Sequence, residues 1–355
     1  MLMNVKLLHF IYDHLRNPWL GGGGSIRVSE IYRRLATKDF DVTVVSGRYP
    51  GCVDYSEGNV NFCFVGSEKD YHCSMLGYSI EGLRMLSKIG ADFNVIVEDF
   101  SVGAPVFGFT YLKKPVVLQI QSHLGKEMIK SKTTGVPLYF FEKLYPHLYH
   151  NWVVVSSELN RKYRVEGIVI PNGVDSVTDP DYKVGEYIAF LGRLDFRGKG
   201  LDVLIRAVKD SGIPLRIAGD GPDRNRLLNA ITGYHNIEWV GFLERAQKLE
   251  FLQASRILVL PSRSEGHPLV ALEAAASGKP IIVSDIRELQ WIVEEGFGVS
   301  FVGGDWKDLK KKLQDLWENQ DLCSTLGERG AAYARRNNWD RVADMFRQYI
   351  KSIIS

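Results

Sequence analysis

The stretch Glu265-Gly-His-Pro-Leu-Val-Ala-Leu-Glu273 holds two glutamates eight positions apart, and the residues between them are almost all apolar. Pro268 suits the first turn of a helix, where its missing N–H is not needed, and Gly278 is a typical stop. We therefore predict a helix over about residues 267–277. Its apolar side chains leave no polar face, which predicts that the helix is buried.

Both glutamates are unusual in this setting. A carboxylate on a buried helix is costly unless a partner satisfies it, and Glu273 lies within the predicted helix. Glu265 precedes the helix, where its carboxylate or the oxygen atoms of a ligand would face free backbone N–H groups. Two interpretations stay open. Either Glu265 is a charge favoured by the helix dipole and Glu273 a satisfied core residue, or both bind a ligand.

The composition is typical of a globular protein with two domains. The chain has 355 residues, of which 45% are apolar and 24% charged, and this length is more than one core usually holds. The net charge of +2 argues against nucleic acid as the main partner. The sequence has no apolar run long enough to span a bilayer.

The beginning of the chain and its cysteines bear on location. Residues 5–12 contain Lys and His and precede no small-residue cleavage site, so we interpret them as a strand and not a signal peptide. The four cysteines form no C-x-x-C pair, and in a chain of this length we expect them to be reduced. A cytoplasmic location is the resulting expectation.

Short apolar runs alternate with helical patterns through the first half of the chain. Strands are predicted at residues 5–10, 41–46, 59–65, 93–97, 115–120, 152–155 and 168–170, and helices at 25–36, 74–88, 137–147 and 156–163. This alternation predicts a parallel sheet that is covered on both faces. In such sheets ligands bind beyond the carboxyl ends of the strands.

A second alternation follows a polar segment, Ser176–Glu186. Its strands are predicted near residues 187–191, 214–218, 237–240, 257–260, 280–283 and 298–301, with helices beginning near 201, 224, 245, 267, 287 and 306 and filling most of 322–354. We predict an α/β protein with a first domain over residues 1–175, a second over 176–338 and a last helix over 339–355.

Several polar groups follow strands of the first domain. Gly21–Gly24 precede a helix, which suits phosphate binding but also a merely flexible loop. Glu98 and Asp99 end one strand, and His123 follows the next, so we expect these side chains to converge on one crevice. An ordinary core or surface role for His123 stays open.

An aromatic segment, Pro137–His150, follows three lysines at positions 126, 130 and 132. Aromatic side chains beside cations suit an acceptor or a membrane surface. The alternative that we favour at this stage is a helix that packs its aromatic face into the core.

Two glycine loops follow strands of the second domain. Arg193 and Lys199 lie among glycines in the first, an arrangement that suits a phosphate group. The loop is not a Walker A loop, because five residues instead of four precede Gly198-Lys199 and because Gly200 replaces the Ser or Thr that would hold magnesium. Gly219–Arg224 imitates a dinucleotide fingerprint, but Arg224 replaces its third glycine, which disfavours NAD.

In this order the motifs resemble those of retaining glycosyltransferases of family 4. The resemblance covers nearly the whole chain and rests on the E-x7-E pair Glu265 and Glu273, Pro171-Asn-Gly-Val-Asp175, Gly192-Arg193-Leu with Lys199-Gly200, Gly219-Asp-Gly-Pro222 and Gly241-Phe-Leu243. It implies the GT-B fold, in which two Rossmann-like parallel-sheet domains face each other across a cleft. The first domain would hold the acceptor and the second a nucleotide-sugar donor.

The resemblance also implies site roles. The catalytic residues would be His123 and Glu265. The donor diphosphate would be bound by Gly22, Gly23, Arg193 and Lys199. The donor sugar would lie against Glu265, Gly266, His267, Pro268 and Leu269, and the nucleoside against Phe242, Leu243 and Glu273. The last helix would cross back onto the first domain.

The implied reaction is transfer of a hexose from UDP, GDP or ADP to a glycan, lipid or small-molecule acceptor with retention of configuration. Negative charge grows on the leaving phosphate, and Arg193 and Lys199 face it. No D-x-D motif occurs where this role would need one, so we expect no metal and no cofactor. Peripheral membrane contact and the oligomeric state stay open. The alternatives are a nucleotide-sugar epimerase or a phosphorylase of the same fold, or a non-catalytic nucleotide-sugar-binding subunit.

Overall fold

The computed structural model describes residues 4–19, 22–36, 39–123, 135–175, 177, 180, 182 and 185–354. Within these residues the chain forms two compact units. The first unit contains the chain up to Asn172 together with the last helix from Trp339, and the second runs from Gly173 to Asn338. Most of the predicted linker Ser176–Glu186 lies outside the described residues.

The first unit is built on an eight-stranded sheet in the order β3-β4-β2-β1-β5-β6-β7-β8. Among the strands that the structure describes in this unit, only β3 runs antiparallel to its neighbour. The elements are β1 (Val5–Phe10), α1 (Gly23–Leu35), β2 (Phe40–Gly47), β3 (Tyr55–Glu57), β4 (Val60–Val65), α2 (Tyr71–Ile89), β5 (Val95–Asp99), β6 (Val116–Ile120), α3 (Gly135–Leu144), β7 (Asn151–Val154), α4 (Ser157–Tyr163) and β8 (Ile168–Val169).

The second unit is built on a six-stranded parallel sheet, for which the order is β11-β10-β9-β12-β13-β14. Its elements are β9 (Tyr187–Leu191), α5 (Leu201–Val208), β10 (Leu215–Ala218), α6 (Arg224–Ile231), β11 (Ile237–Gly241), α7 (Arg245–Ala254), β12 (Ser255–Leu260), α8 (Leu269–Ala276), β13 (Ile281–Ser284), α9 (Gln290–Glu294), β14 (Gly298–Phe301), α10 (Trp306–Glu318) and α11 (Gln320–Arg336). The last helix of the chain, α12 (Trp339–Ile354), belongs to the first unit.

The predicted α/β class with two parallel-sheet domains is confirmed. Every residue of β9 is buried, and its side chains alternate between two apolar clusters. Phe190 lies in one cluster and Leu191 in the other, so both faces of the sheet are covered. The sequence prediction missed β3, because Tyr55–Glu57 is a three-residue edge strand with no apolar alternation to mark it.

The predicted start of the helix near residue 267 was wrong by two positions. α8 begins at Leu269, and Pro268 stands before it with φ −67° and ψ 122°, an extended conformation. Proline disfavours helical dihedrals in the residue that precedes it, which keeps His267 out of the helix. The alanines of α8 allow α11 to pack closely, since a Cβ on Gly330 would lie 3.2 Å from the Cα of Ala275.

α12 packs against α1 within the first unit. Arg34 Nε donates to Asp340 Oδ1 at 2.7 Å, and the rings of Tyr32 and Phe346 lie 5.9 Å apart. Lys351 pairs with Asp39 at the far end of the helix. The chain therefore returns to its first unit after completing the second.

Glycines bring three loops into backbone contact at the carboxyl edge of the second sheet. Gly200 has φ +67°, and a Cβ there would lie 2.0 Å from the carbonyl oxygen of Pro261. Gly219 has φ +126°, and a Cβ there would lie 1.9 Å from the carbonyl oxygen of Gly192. The loops after β9, β10 and β12 are therefore packed too closely to admit side chains at these two positions.

We predict that Gly200→Ala lowers the free energy of unfolding of the second unit far more than Gly212→Ala does. Gly212 has φ +70° but nothing within 4 Å of its Cβ position, so its substitution costs only the left-handed backbone, about 1 kcal/mol. In Gly200→Ala the new methyl group also forces the Pro261 carbonyl away, which costs a further ~1–3 kcal/mol. Urea unfolding measures both variants, and equal losses would contradict the close approach of Gly200 to Pro261.

Candidate functional site

Asp195 shapes the loop that follows β9. Its Oδ1 accepts hydrogen bonds from the N–H groups of Arg197 at 3.0 Å and Gly198 at 2.9 Å. Its carbonyl accepts from the N–H of Lys199 at 2.9 Å. The turn around Asp195 therefore fixes the backbone that carries Lys199.

The loop after β10 supports the same turn from the side. Asp223 Oδ2 accepts from the N–H of Phe196 at 2.7 Å, and the N–H of Leu194 donates to the carbonyl of Asp220 at 3.0 Å. These bonds tie the Gly219–Arg224 loop to the Arg193–Lys199 loop. The glycine-rich segment that imitates a dinucleotide fingerprint thus has a structural role in the described chain.

Arg263 clamps the loop after β12 onto the turn. Its guanidinium donates to both carboxylate oxygens of Asp202, at 2.9 and 2.8 Å, and to the carbonyls of Phe196 and Arg197, each at 3.0 Å. Its backbone N–H donates to the carbonyl of Gly198 at 2.9 Å. A bidentate arginine–carboxylate pair fixes direction as well as distance.

Lys199 and Glu265 meet where these loops converge. Lys199 Nζ lies 2.7 Å from Glu265 Oε1, and the hydroxyl of Ser262 donates to the same oxygen at 2.6 Å. Glu265 is only 9% exposed, so its charge needs these partners. The ammonium is in turn held at one position by a buried carboxylate.

Arg193 differs from Lys199 although it lies on the same loop. Its side chain is exposed, and it forms no ion pair with any residue that the structure describes. The site therefore has one anchored cation and one that is available to a bound anion.

Residues 266–268 are buried and lead into α8. The ring of His267 stacks on Trp291 at a centroid distance of 4.6 Å and an interplanar angle of 17°. As at any helix start, the N–H groups of Leu269 and Val270 precede the first intrahelical bonds and lie directly after this segment, whereas the N–H of Ala271 donates to the carbonyl of Pro268 at 3.2 Å. Backbone donors and Lys199 therefore occur together at the carboxyl edge of the sheet.

The helix itself is less completely buried than the sequence predicted. Leu269, Val270 and Glu273 are each partly exposed, while the alanines of the helix are buried. These three positions share one face of α8. Glu273 therefore lies on an open face of the helix, and its carboxylate does not bear the full cost of burial.

The two residues expected beside the base have different environments. Phe242 is 69% exposed, which leaves its ring open to a ligand. Leu243 is partly buried and packs against the apolar cluster that contains Leu191. Phe242 is therefore accessible for stacking on a base, whereas Leu243 is part of the packing of the second unit.

The first unit holds the remaining predicted residues. Gly22 precedes α1, and its N–H donates to Asp13 Oδ2 at 3.0 Å. Burial raises the pKa of Asp13 to about 6. The carboxylate thus already uses the amide of Gly22, whereas Gly23 is the first residue of α1.

His123 follows β6, as predicted. Burial, together with the smaller effect of the charges of Lys162 and Lys143, lowers the pKa of His123 to about 3. Its imidazole is therefore neutral at physiological pH. It suits a hydrogen bond to a neutral hydroxyl and does not supply a positive charge.

The expected convergence of Glu98 and Asp99 was wrong for Glu98. Its carboxylate accepts four hydrogen bonds, from the N–H groups of residues 106 and 108 and from the hydroxyls of Tyr145 and Tyr149. Asp99 instead binds His9 at 3.0 Å and the amides of Gln119 and Gln121 at 2.9 and 2.8 Å. Both carboxylates therefore form hydrogen bonds within the first unit.

The structure thus brings Lys199 and Glu265 into contact and places Arg193 on the same loop. Ser262, Arg263 and Asp13 were missed by the sequence analysis. Ser262 and Arg263 lie next to Glu265 in the motif, but only their partners reveal a role. The described chain contains no group of three or more His, Cys, Asp or Glu side chains arranged to hold a metal ion, and none of its helices is long and apolar enough to cross a membrane.

Comparisons with known proteins agree with this architecture. Residues 180–333 match the family model of group 1 glycosyl transferases. An uncharacterised glycosyltransferase of Methanocaldococcus jannaschii is 31% identical over 53% of this chain and 54% of its own length. The chain thus matches about half the length of that relative. A phosphatidyl-myo-inositol mannosyltransferase of Mycobacterium leprae is 24% identical over 75% of each chain.

Among solved structures, sucrose-phosphate synthase from Thermosynechococcus elongatus superposes with a TM-score of 0.83 at 19% identity over 98% of both chains. At this identity the likeness concerns the fold, which is GT-B. The matched family model and the two curated relatives are all described as glycosyltransferases. The E-x7-E pair and the assignment to family 4 stay predictions.

We predict that Lys199→Ala destabilises the second unit, because it leaves the buried Glu265 without its cation. The expected loss is about 1–3 kcal/mol, and Glu265→Gln in the same chain should recover part of it by removing the unpaired charge. The matched control is Arg197→Ala, an exposed cation on the same loop, with an expected change within about 0.5 kcal/mol. Urea unfolding of the unmodified chain, of Lys199→Ala, of Glu265→Gln and of the double variant forms a double-mutant cycle that measures the coupling. Additive losses would contradict it.

Proposed function

We propose that this chain is a retaining, metal-independent glycosyltransferase that moves a hexose from a nucleotide-sugar to an acceptor hydroxyl. The observation that carries the proposal is the anchored Lys199, which lies 2.7 Å from the buried Glu265 just before the start of α8. Folding does not require a buried carboxylate and a lysine at this edge, since apolar residues would fill the space at lower cost.

In this proposal the donor diphosphate binds Lys199, Arg193 and the first N–H groups of α8. The bond between the anomeric carbon and the diphosphate breaks, and negative charge grows on the leaving phosphate. Lys199 is held in place before the reaction, so it stabilises that charge without reorganising.

The carboxylates take the hydroxyl groups of the donor. Glu265 and the backbone of Gly266–Leu269 lie against the sugar. Glu273, on the half-exposed face of α8, accepts from the ribose, and Phe242 offers its exposed ring to the base. The fixed cations replace a metal, and no cofactor is needed, because the donor is a second substrate.

Retention follows from attack of the acceptor on the same face that the phosphate leaves. The departing phosphate then takes the proton of the acceptor hydroxyl, and no protein nucleophile is required. The acceptor is a glycan, a lipid or a small molecule. All four cysteines are free, which supports a reducing compartment and hence the cytoplasm.

A second candidate function is a nucleotide-sugar epimerase of the same fold, and a third is a subunit that binds the donor without catalysis. The same anchored cation would serve both. An epimerase would convert the donor sugar when no acceptor is present. A binding subunit would retain the affinity for nucleotide but show no turnover with any acceptor.

We predict that one nucleotide among UDP, GDP and ADP, or its sugar, raises the melting temperature of the protein clearly more than the others, because stabilisation grows with ligand concentration over Kd. Lys199→Ala and Arg193→Ala should each lower the affinity for that nucleotide by about 10- to 100-fold, as expected for the loss of one charge-assisted hydrogen bond. Arg197→Ala is the control and should bind normally. If calorimetry shows that Lys199→Ala binds the nucleotide with unchanged affinity, the diphosphate does not bind at Lys199.

We also predict that transfer proceeds at an unchanged rate in excess EDTA and that the product keeps the anomeric configuration of the donor. The rate should not change because Arg193 and Lys199, and not a metal ion, stabilise the leaving phosphate. The configuration should be retained because the acceptor attacks the face that the phosphate leaves. NMR of the purified product reports the anomer. A glycosyl adduct trapped on a carboxylate and detected by mass spectrometry would contradict the proposed mechanism, and inhibition by EDTA that is reversed by Mg²⁺ would contradict metal independence.

A further inference from the structure

The segment Gly266–Pro268 belongs to neither a helix nor a strand, so no regular ladder of backbone hydrogen bonds fixes its direction. Glu265 anchors its first end through Lys199 and Ser262. Within the segment the long side chain is that of His267, which is only 8% exposed. The direction of the peptide groups between Glu265 and α8 therefore depends on what holds the imidazole.

The imidazole of His267 lies on a stack of aromatic rings within the second unit. It is stacked on the indole of Trp291, with ring centroids 4.6 Å apart and ring planes inclined by 17°. The indole is supported in turn by the rings of Phe297, at 5.6 Å, and Tyr333, at 5.4 Å. These two rings lie 5.1 Å from each other. We call the four residues the aromatic stack.

The backbone that carries Trp291 is fixed independently of the segment that the indole contacts. Trp291 lies on α9, and its neighbours Leu289 and Ile292 are fully buried in an apolar cluster of the second unit. Tyr333 lies on α11, which packs against α8. The indole therefore offers a fixed flat face to His267, and a stacked pair restricts both the distance and the tilt of the two rings.

Filling of the core does not by itself explain an indole at position 291. Its N–H is buried and has no hydrogen-bond partner among the residues that the structure describes. A buried donor without a partner is costly, and a buried indole N–H usually finds one. Phenylalanine would fill most of this space without that cost. What Trp291 contributes beyond packing is therefore the larger flat face beneath His267.

We propose that Trp291 is a positioning residue for the donor sugar, because it holds the peptide groups on either side of His267 in the direction that the hydroxyl groups of a hexose require. This role rests on the proposed function, in which the sugar lies against Glu265 and the backbone of Gly266–Leu269. A segment that already has its binding direction loses less conformational freedom when the ligand arrives. Lys199, the anchored cation for the diphosphate, lies on a different loop and does not depend on the aromatic stack.

The test compares two affinities of the same protein. Calorimetry measures Kd for UDP-glucose, GDP-mannose and ADP-glucose, and then Kd for the free nucleoside diphosphate of the donor that binds most tightly. The ratio of the affinity for this donor to the affinity for its nucleoside diphosphate reports the contacts to the sugar. In Trp291→Leu we expect this ratio to fall about 2- to 10-fold, the contribution of one stacked ring pair, while the affinity for the nucleoside diphosphate stays unchanged.

The matched control is Trp317→Leu, which makes the same change in another half-buried tryptophan of the second unit. Trp317 packs against the apolar cluster that contains Phe190, and its ring lies beneath the guanidinium of Arg256. This variant should leave the affinity ratio unchanged. Melting temperatures report the folding of both variants. If Trp291→Leu does not fold, Trp291→Phe takes its place and should lower the ratio by about twofold, since it keeps a smaller ring.

A double-mutant cycle tests whether Trp291 acts through His267. His267→Leu removes the other ring of the stacked pair and should lower the same affinity ratio. Because both substitutions break one contact, the double variant should lose no more than the larger of the two single losses. Additive losses would overturn the proposal, since Trp291 would then act on the sugar without His267.

Three further outcomes are decisive. An unchanged ratio in Trp291→Leu would overturn the positioning role and leave the proposed function intact. Equal losses of affinity for the donor and for its nucleoside diphosphate would also overturn it, because Trp291 would then only stabilise the second unit. If none of the three nucleotide-sugars binds the unmodified protein, the proposed function fails, and the positioning role fails with it.

Discussion

The contact between Lys199 and Glu265 is the constraint on which the second unit depends at its carboxyl edge. A carboxylate that is 9% exposed is stable there only beside a cation and a hydroxyl donor. That requirement brings the loop after β9 against the loop after β12, and the two can meet only because Gly200 has no side chain facing Pro261. Arg263 then closes the arrangement from the outside. The same contacts therefore pair the charge of Glu265, pack the two loops together and position the candidate site.

Much of the fold could be predicted from the sequence because burial on both faces produces long apolar runs. The runs that became β1, β2, β9 and β12 are unmistakable on this ground. The edge strand Tyr55–Glu57 is different, since its pairing depends on β4 and not on its own composition. The start of α8 was misplaced because proline fits both the first turn of a helix and the position before it, and only the dihedral angles of Pro268 decide between the two.

The candidate site was predictable where its residues lie close together in the chain. Arg193, Lys199 and Glu265 stand beside glycines or a helix start, which are visible locally. Ser262 and Arg263 were hidden although they adjoin Glu265, because a serine or arginine has no meaning until its partner is known, and Asp202 lies 61 positions away. Gly22 shows the opposite error. A glycine before a helix suggests an open anion site, but Asp13 from the end of β1 already accepts from its amide.

The return of the chain to its first unit has a consequence for the order of synthesis. The surface of α1 that includes Tyr32 is covered by α12, and Phe346 is the ring that meets it. A ribosome must therefore translate all of Gly173–Asn338 before the first unit has its last helix. The described part of the second unit lies between Gly173 and Asn338, so it is complete before the first unit receives its last helix. Until α12 is made, the apolar surface of α1 around Tyr32 is uncovered. A chaperone that binds exposed apolar surface would bind the first unit during this interval.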